Sequence, residues 1–350
     1  MKKLLTAVTA LSLLAVMSTS ALAAARDYVF IVSSSTVYPF STVVAEKFGK
    51  SSGFKTPKVE SHGTGGSLKL FCEGVGVEYA DIANASRRIK LSEFEKCREN
   101  GVKDIIEVPI GYDGIVIANS KTAKQWNISL KDLYLALARE VPDAAGKKMI
   151  PNPNKLWSDV NPSLPKEKIE VIGPPPTSGT RDSFNELAIE GGCKKVPAVK
   201  TLIIDKKAWE KSCRTLREDG HYIEAGENDN LIVQKLGANP HALGVFGFSF
   251  LDQNADKVQG SIIDGNAPTF ESIASGKYPI ARPMFFYVKK DHIGRVRGLF
   301  EYVEEFISEK AMGEEGYLTE RGLVPLPADK YKAVVSSVKA KTKLYSKELK

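Results

Sequence analysis

The sequence predicts an α/β protein with largely parallel sheets, and three observations support this prediction. Short apolar segments with strand character alternate with helical segments along the chain, which is typical of parallel sheets. The composition, 43% hydrophobic and 26% charged, is that of a globular protein; it excludes collagen, coiled coils, multi-span membrane proteins and disordered chains. No internal repeat or low-complexity segment interrupts the 350 residues, a length that suits two domains better than one core.

The first 23 residues have the three parts of a secretory signal peptide. Lys2 and Lys3 form a basic start, residues 4–17 form an uncharged apolar run, and residues 21–23 form a small-x-small cleavage site. The run is too short to cross a bilayer of ~30 Å comfortably, and no cysteine follows it as a lipid anchor requires. We therefore expect cleavage after Ala23 and a mature chain of 327 residues with net charge +5 instead of +7. The signal implies a periplasmic or secreted protein, and we expect a periplasmic location.

The predicted strands are short and rich in apolar residues. They are 28–32, 58–60, 81–83, 105–110, 114–119, 169–172 and 284–288. The predicted helices are 41–48, one from 67, a short one opened by a capping box at Ser92–Glu95, 129–137 capped by Ser129, 229–236 with Gly237 just past its end, 296–307, and one from 329. No flexible linker divides the chain, so we expect two interleaved domains, with crossings near 109–114 and 281–283.

Four cysteines, an even number, predict disulfides in an exported protein. Three pairings are possible, and we favour Cys72–Cys97 with Cys193–Cys213 because each closes a short local loop. A zinc site built from all four is disfavoured, since such sites usually contain cysteine pairs separated by two to four residues.

Three turns share one design, in which a short strand is followed by hydroxyl or glycine residues and then by a helix. They are residues 33–37, 62–67 and 177–183, and a fourth segment, 84–88, adds two arginines. Helix N-termini offer unpaired N–H groups, glycine lets backbone approach an anion, and hydroxyls add donors. An arginine fork suits a tetrahedral oxyanion. The turns therefore predict an anion site, whose candidate residues here include Ser35, Gly65, Ser86, Arg87 and Arg181.

Other chemistries find no support in the sequence. A Walker A loop, His-Glu-x-x-His and Gly-x-Ser-x-Gly are all absent, and the four histidines have no metal-ligand spacing. We therefore expect no catalytic residue, no metal and no cofactor. A surplus of +5 is slight, and the lysines of the C-terminal helix suit a solvated face, so nucleic acid is not an expected partner.

The turns together resemble those of the periplasmic phosphate-binding proteins that serve ABC phosphate importers. The resemblance rests on residues 34–39, 63–69, 81–87 and 178–184, in this order and spacing, and it covers most of the mature chain. It implies a type II periplasmic-binding-protein fold, with two α/β lobes, two hinge strands and one phosphate in the cleft. It also implies ligand roles for Thr36, Val37, Thr64, Ser178, Gly179 and Thr180.

Under this resemblance the signal peptide is 1–23, one lobe comprises 24–110 and 284–350, and the other comprises 111–283. The implied partners are inorganic phosphate and the permease subunits of the inner membrane, and we expect a monomer. Two rival functions remain open. The same fold can bind sulfate, molybdate or tungstate, and a secreted phosphatase could use Ser178 or Thr36 as its nucleophile.

The sequence departs from the well-known family members at two positions. Arg87 stands where they carry an aspartate that accepts the phosphate proton, and Pro174 stands where they carry an arginine. Because sulfate has no proton to offer, an acceptor is what separates the two anions, and an unpaired buried polar group costs ~1–3 kcal/mol. The candidate replacements are Asp113, Glu224 and Asp229. If none reaches the ligand, we expect weak discrimination against sulfate.

Overall fold

The computed structural model describes residues 26–226 and 229–349, which form one large mixed sheet, two small sheets and the surrounding helices. The predicted signal peptide lies outside the described residues. The strands are β1 Phe30–Ser33, β2 Lys58–Ser61, β3 Ile82–Ala85, β4 Ile105–Ser120, β5 Asn127–Ile128, β6 Glu140–Pro142, β7 Met149–Pro151, β8 Val171–Gly173, β9 Tyr222–Glu224, β10 Leu243–Gly247, β11 Val258–Gly260, β12 Ile262–Ile263 and β13 Ala281–Lys289.

The helices lie between these strands and after them. They are α1 Tyr38–Ser51, α2 Gly63–Phe71, α3 Leu91–Glu99, α4 Leu130–Leu137, α5 Trp157–Val160, α6 Gly179–Phe184, α7 Glu190–Cys193, α8 Pro197–Leu202, α9 Lys206–Arg214, α10 Asp229–Ala238, α11 Phe248–Gln253, α12 Phe270–Ala274, α13 Leu299–Phe306, α14 Glu309–Met312 and α15 Ala328–Lys339. A π-helical turn, Asn185–Ile189, connects α6 to α7. Within the described part of the chain, no helix is long and apolar enough to span a bilayer.

The large sheet has the strand order β2-β1-β3-β13-β4-β10-β8-β9, with β11 also paired to β4. At one end β1 runs parallel to β2 and β3, and at the other end β8 runs parallel to β9 and β10. Between them, β13 is antiparallel to β3 and β4, and β4 is antiparallel to β10. The predicted α/β class is therefore confirmed, with parallel strands at both ends of the sheet and antiparallel strands in its middle.

Strand β4 is 16 residues long and serves both ends of this sheet. Its first part pairs with β13, whereas its last six residues pair with β10 and β11. The two regions predicted as chain crossings lie side by side, because Ala281, Arg282 and Pro283 stand opposite Gly114, Asp113 and Tyr112. The lobe boundaries themselves stay a prediction.

A β-bulge in β13, between Met284 and Phe285, lies next to these crossing residues. On the paired strand, Gly111 has φ 143°, and a Cβ there would lie 2.6 Å from the carbonyl oxygen of Val324. Only glycine fits such a close backbone approach. This close contact fixes the path of β4 just before Asp113.

Apolar side chains cover both faces of the sheet. The parallel strands are buried almost completely, as Ile31 and Val32 of β1 show; alternate residues face α1 and α13 on one side and α2 and α3 on the other. Because these strands are buried on both faces, their sequences are continuous apolar runs. This burial also leaves their carboxyl ends as the natural place for polar loops.

Most predicted elements are present. The strands predicted at 105–110 and 114–119 form the single strand β4, and the cap of α4 is confirmed: Ser129 Oγ accepts from the Asp132 N–H at 3.0 Å, and Asp132 accepts from the Ser129 N–H at 3.0 Å.

The helix predicted from 67 begins at Gly63, so residues 63–66 of the predicted turn 62–67 form the first turn of α2. Two further local predictions were wrong. The short helix α3 begins at Leu91, and its reciprocal contact is between the Glu93 carboxylate and the Lys90 N–H, at 2.9 Å, so Ser92 is not the cap. Helix α10 runs to Ala238, which places Gly237 inside it. In both cases a neighbouring residue one or two positions away satisfies the helix end equally well, which sequence patterns do not resolve.

Both favoured disulfides are confirmed. Cys72 is bonded to Cys97 and Cys193 to Cys213, with sequence separations of 25 and 20. The first bond ties α2 to α3, and the second ties α7 to α9.

Replacing Cys193 and Cys213 together by serine should lower the free energy of unfolding by roughly 3 kcal/mol, because the chain-entropy estimate for a loop of this size has that magnitude. Urea unfolding without reductant measures it. The matched replacement of Cys72 and Cys97 should give a similar loss. An unchanged unfolding midpoint in both double variants would contradict the expectation.

Candidate functional site

Three of the predicted anion-binding turns follow the neighbouring parallel strands β1, β2 and β3, and therefore meet at the carboxyl ends of these strands. The turn after β1 begins beside the end of β3, since the Ser34 N–H donates to the carbonyl of Asn84 at 3.0 Å. The turns at α2 and after β3 are joined directly: Thr64 Oγ1 lies 2.9 Å from Ser86 Oγ and accepts from the Ser86 N–H at 3.0 Å. Two predicted site residues are thus brought together.

The turn before α6 approaches the first turn from the other side. Ser178 caps α6, because its Oγ accepts from the Thr180 N–H at 3.2 Å. A Cβ placed on Gly179 would lie 3.2 Å from the carbonyl oxygen of Ser35. The predicted ligand residues Ser35 and Thr36 therefore face Ser178, Gly179 and Thr180 across a very narrow gap, although they lie more than 140 residues apart in the chain.

The central side chain of this gap is Arg282, on β13. Its Nη2 donates to Thr36 Oγ1 at 2.7 Å and to Ser183 Oγ at 2.8 Å, and its Nη1 donates to Glu186 Oε2 at 2.6 Å. Arg282 is buried, with 8% exposure. A single guanidinium therefore connects the turn after β1 to the helix that follows Ser178.

Asp113 supplies a negative charge to the same cluster. Its Oδ2 accepts from Ser183 Oγ at 2.6 Å and lies 3.6 Å from Arg282 Nε, a buried atom without a hydrogen-bond partner. Burial raises the pKa of Asp113, against the opposing effects of Arg282 and the Ser183 hydroxyl. Of the three candidate acceptors, Asp113 is the one whose hydrogen bonds join it to the converging turns.

Glu186 is the second carboxylate that pairs with the Arg282 guanidinium. Burial acts to raise its pKa, but the charge of Arg282 and their hydrogen bond hold the pKa of Glu186 below its ordinary value. Arg282 thus lies between two carboxylates, Asp113 and Glu186. The cluster can present both hydrogen-bond donors and carboxylate acceptors to a small ligand.

The two arginines proposed from sequence have other partners. Arg87 makes two hydrogen bonds to Glu93, at 2.9 and 2.7 Å. Arg181 donates to the carbonyl of Pro174 at 3.0 Å and lies 4.0 Å above the Tyr222 ring. Their ligand roles stay predictions. Within the described residues, the cation that hydrogen-bonds to the first turn is Arg282.

The two other candidate acceptors lie nearby but in different surroundings. Glu224 is half exposed, with an oxygen 3.8 Å from Arg181. Burial raises the pKa of Asp229 to about 6, against a hydrogen bond with the backbone of Gly247. Gly247 pairs with Ile115, two residues beyond Asp113. Their roles as acceptors also stay predictions.

Sequence reasoning did not identify Ser183, Glu186 or Arg282. A signal for Arg282 existed, because it lies in a predicted crossing, 281–283, that had to pair with the crossing containing Asp113. Opposite charges facing each other on paired strands stabilise that pairing. Ser183 lies in the predicted turn 177–183 but was not named as a ligand, because its partners depend on the tertiary fold. Glu186 gave no signal, since it lies within a helical segment.

The described residues do not offer a metal centre. Within 26–226 and 229–349 there is no group of three or more His, Cys, Asp or Glu side chains arranged to hold a metal ion. The cluster instead combines hydroxyls, a helix start, one buried arginine and two carboxylates, of which Asp113 is largely buried and Glu186 is partly exposed. Such a set suits reversible binding of an oxyanion.

Comparisons with known proteins agree with this fold. A family description, the PBP superfamily domain, matches residues 18–310, and the chain belongs to this superfamily. Protein SphX of Synechococcus elongatus is 32% identical over 316 residues, which span 89% of this chain and 81% of that protein. The phosphate-binding protein PstS of Staphylococcus saprophyticus is 29% identical over 303 residues, which span 85% and 80%.

A solved structure supports the same assignment. It is described as a possible phosphate binding protein from Planctomyces limnophilus, is 26% identical, and superposes with a TM-score of 0.71 over 90% of this chain and 99% of its own. The predicted type II periplasmic-binding-protein fold is confirmed by this likeness. The resemblance to phosphate-binding proteins that the turns predicted is confirmed by the relatives.

Proposed function

We propose that this protein is an exported receptor that binds one inorganic phosphate ion and delivers it to an ABC permease of the inner membrane. The observation that carries the proposal is the position of Arg282 and Asp113, which stand opposite each other on β13 and β4 and share Ser183. Relatives named as phosphate-binding proteins support it. The ion is held and released without chemical conversion.

In this proposal the phosphate oxygens bind the donors of the converging turns. Backbone N–H groups of Thr36 and Val37 and of the α6 start, with the hydroxyls of Thr64, Ser86 and Ser178, surround the ion. Arg282 turns its fork from Thr36 and Ser183 towards the phosphate, because a guanidinium–phosphate pair is stronger than hydrogen bonds to neutral hydroxyls.

Asp113 is proposed as the acceptor for the proton of the bound phosphate. It takes the role of the family aspartate whose position is occupied here by Arg87. Sulfate, which has no proton, would leave two buried negative groups facing each other, and such a contact is unfavourable. The protein should therefore prefer phosphate to sulfate.

The ligand would bind between two lobes, 24–110 with 284–350 and 111–283, joined by the paired segments of β4 and β13. Ligand contacts from both lobes favour the closed arrangement. The permease can therefore distinguish the closed, phosphate-bound receptor from the free receptor. We propose a monomer in the periplasm, because the family role requires a receptor that diffuses to its permease.

Calorimetric titration of the mature chain with phosphate, sulfate, molybdate and tungstate tests this function. We expect one phosphate per chain and at least ~100-fold weaker binding of sulfate, because a site built to bond the ligand O–H rejects an ion without it. A stronger affinity for any of the other three anions would replace phosphate as the proposed ligand. Turnover of a chromogenic phosphate ester would contradict binding without conversion.

A further inference from the structure

A second feature of the molecule, separate from the anion site, is the loop closed by the Cys193–Cys213 disulfide. We call residues 194–212 the basic loop. It contains six lysines and two acidic residues, so its net charge of +4 is more than half of the +7 of the whole chain. None of its residues is a predicted ligand of the anion site.

The lysines of the basic loop fall into two groups. Lys194 and Lys195 are held by Glu190 and Asp264, both at 2.6 Å. Lys200, Lys207 and Lys211 make no ion pair within the described part of the chain, and the side chain of Lys206 is 87% exposed with its acidic neighbour 3.8 Å away. These four outer lysines therefore carry more positive charge than the two acidic residues of the loop offset.

An apolar tip lies among these lysines. Ile204 is 92% exposed, the highest exposure of any large apolar side chain that the structure describes. Ile203 and Ile204 lie in the connection from α8 to α9. The part of the basic loop that precedes Asp205, residues 194–204, contains no acidic residue. A single exposed apolar residue needs no partner, but this one stands among the outer lysines, and a partner that covered it would remove its apolar surface from water.

A cavity of about 910 Å³ adjoins the tip, whose residues Ile203 and Ile204 are part of its lining. Its lining combines apolar and cationic side chains, among them Val196, Pro197, Ile203, Trp209, Lys200 and Lys206. The loop is firmly anchored, because Val199 and Cys213 are fully buried. The cavity and the tip therefore belong to the folded structure.

We propose that the basic loop is a membrane-docking site that binds the surface of an anionic phospholipid bilayer. The outer lysines attract lipid head groups, and Ile204 enters the interface, where an acyl chain can reach the cavity. Lysines around an apolar tip are the pattern of interfacial segments. A docking site for an acidic protein would not explain an isolated, fully exposed isoleucine as directly. The inference does not rest on phosphate binding.

Sedimentation of the full mature chain with vesicles tests the docking site. The vesicles are phosphatidylcholine alone or with about 30% phosphatidylglycerol, and we expect binding only to the anionic ones, lost at roughly 0.5 M salt. The double variant Lys200→Gln/Lys207→Gln should bind at least ~10-fold more weakly, since each lysine near an anionic surface contributes about 1 kcal/mol. Ile204→Asp should also weaken binding ~10-fold or more.

Matched controls separate the loop from total charge. Lys235→Gln/Lys332→Gln removes two exposed lysines elsewhere, and Tyr345→Asp alters another exposed apolar residue; both should bind vesicles as the unaltered chain does. Unchanged phosphate titration and thermal midpoint verify the fold of each variant. The proposal would be overturned if the loop and control variants lost binding equally. It would also be overturned if the protein did not bind anionic vesicles, or if it bound polyglutamate more tightly than vesicles.

Discussion

Replacing Arg282 by glutamine should weaken phosphate binding by roughly 100-fold or more, because truncating one member of a buried charged cluster commonly costs 2–5 kcal/mol. Arg282 donates hydrogen bonds to Thr36 and Ser183 and so contacts both sides of the gap. Glutamine keeps a polar end but loses the charge and the planar fork. Calorimetric titration of the variant with phosphate gives the affinity.

Loss of binding must be distinguished from loss of folding. Arg282→Gln leaves the buried carboxylate of Asp113 without its cation, so the variant should also be less stable. Adding Asp113→Asn removes that unpaired charge, and the double variant should recover stability without recovering phosphate affinity. Recovery of affinity in the double variant would contradict a direct role for Arg282.

Arg87→Gln is the matched control for Arg282. Because Arg87 is engaged by two hydrogen bonds to Glu93, its replacement should change the phosphate affinity much less than that of Arg282. If Arg87→Gln weakened phosphate binding more than Arg282→Gln, Arg87 would be the ligand, as the sequence first indicated.

Replacing Asp113 by asparagine should abolish most of the discrimination between phosphate and sulfate. Phosphate binding should weaken by roughly 10- to 100-fold, since hydrogen bonds to charged groups are worth about 1.5–3 kcal/mol. Sulfate binding should stay unchanged or improve, because the variant removes a negative charge 2.6 Å from Ser183 Oγ. Competition titration of the two anions measures the ratio.

Glu224→Gln and Asp229→Asn are the controls for the Asp113 variant. Glu224 is half exposed beside Arg181, and Asp229 contacts the backbone of Gly247; neither has a hydrogen bond to the Arg282 cluster within the described residues. Each control should keep the selectivity of the unaltered protein. Strong selectivity for phosphate in a variant with all three carboxylates replaced by alanine would refute an acceptor role for every one of them.

Local sequence signals predicted the fold well where each element depends on its own residues. The buried parallel strands are apolar runs because both faces are covered, and the Ser129–Asp132 cap is set by neighbours in the chain. The disulfides were predicted because each closes a short loop. Helix ends such as Leu91 were missed, since several adjacent residues satisfy a terminus almost equally.

The residues of the candidate site also fall into those that local sequence signals predicted and those that they did not. Turns at strand ends could be predicted, because glycine and hydroxyl residues are required there by backbone geometry. Arg282 was not identified, although it lies in a predicted crossing, because its role arises only when β13 pairs with β4 and α6 packs against the turn after β1. The sequence also indicated Arg87 and Arg181 as ligands of the anion. In the structure Arg87 binds Glu93 and Arg181 binds the carbonyl of Pro174.

A crystal structure of the mature chain grown with phosphate tests the central claim most directly. We expect a tetrahedral ligand between the turn after β1 and the start of α6, within hydrogen-bonding distance of Thr36, Ser178 and Arg282, with one oxygen facing Asp113. Phosphate bound elsewhere, or an Arg282 that keeps its bonds to Thr36 and Ser183 while the ligand is present, would contradict the account.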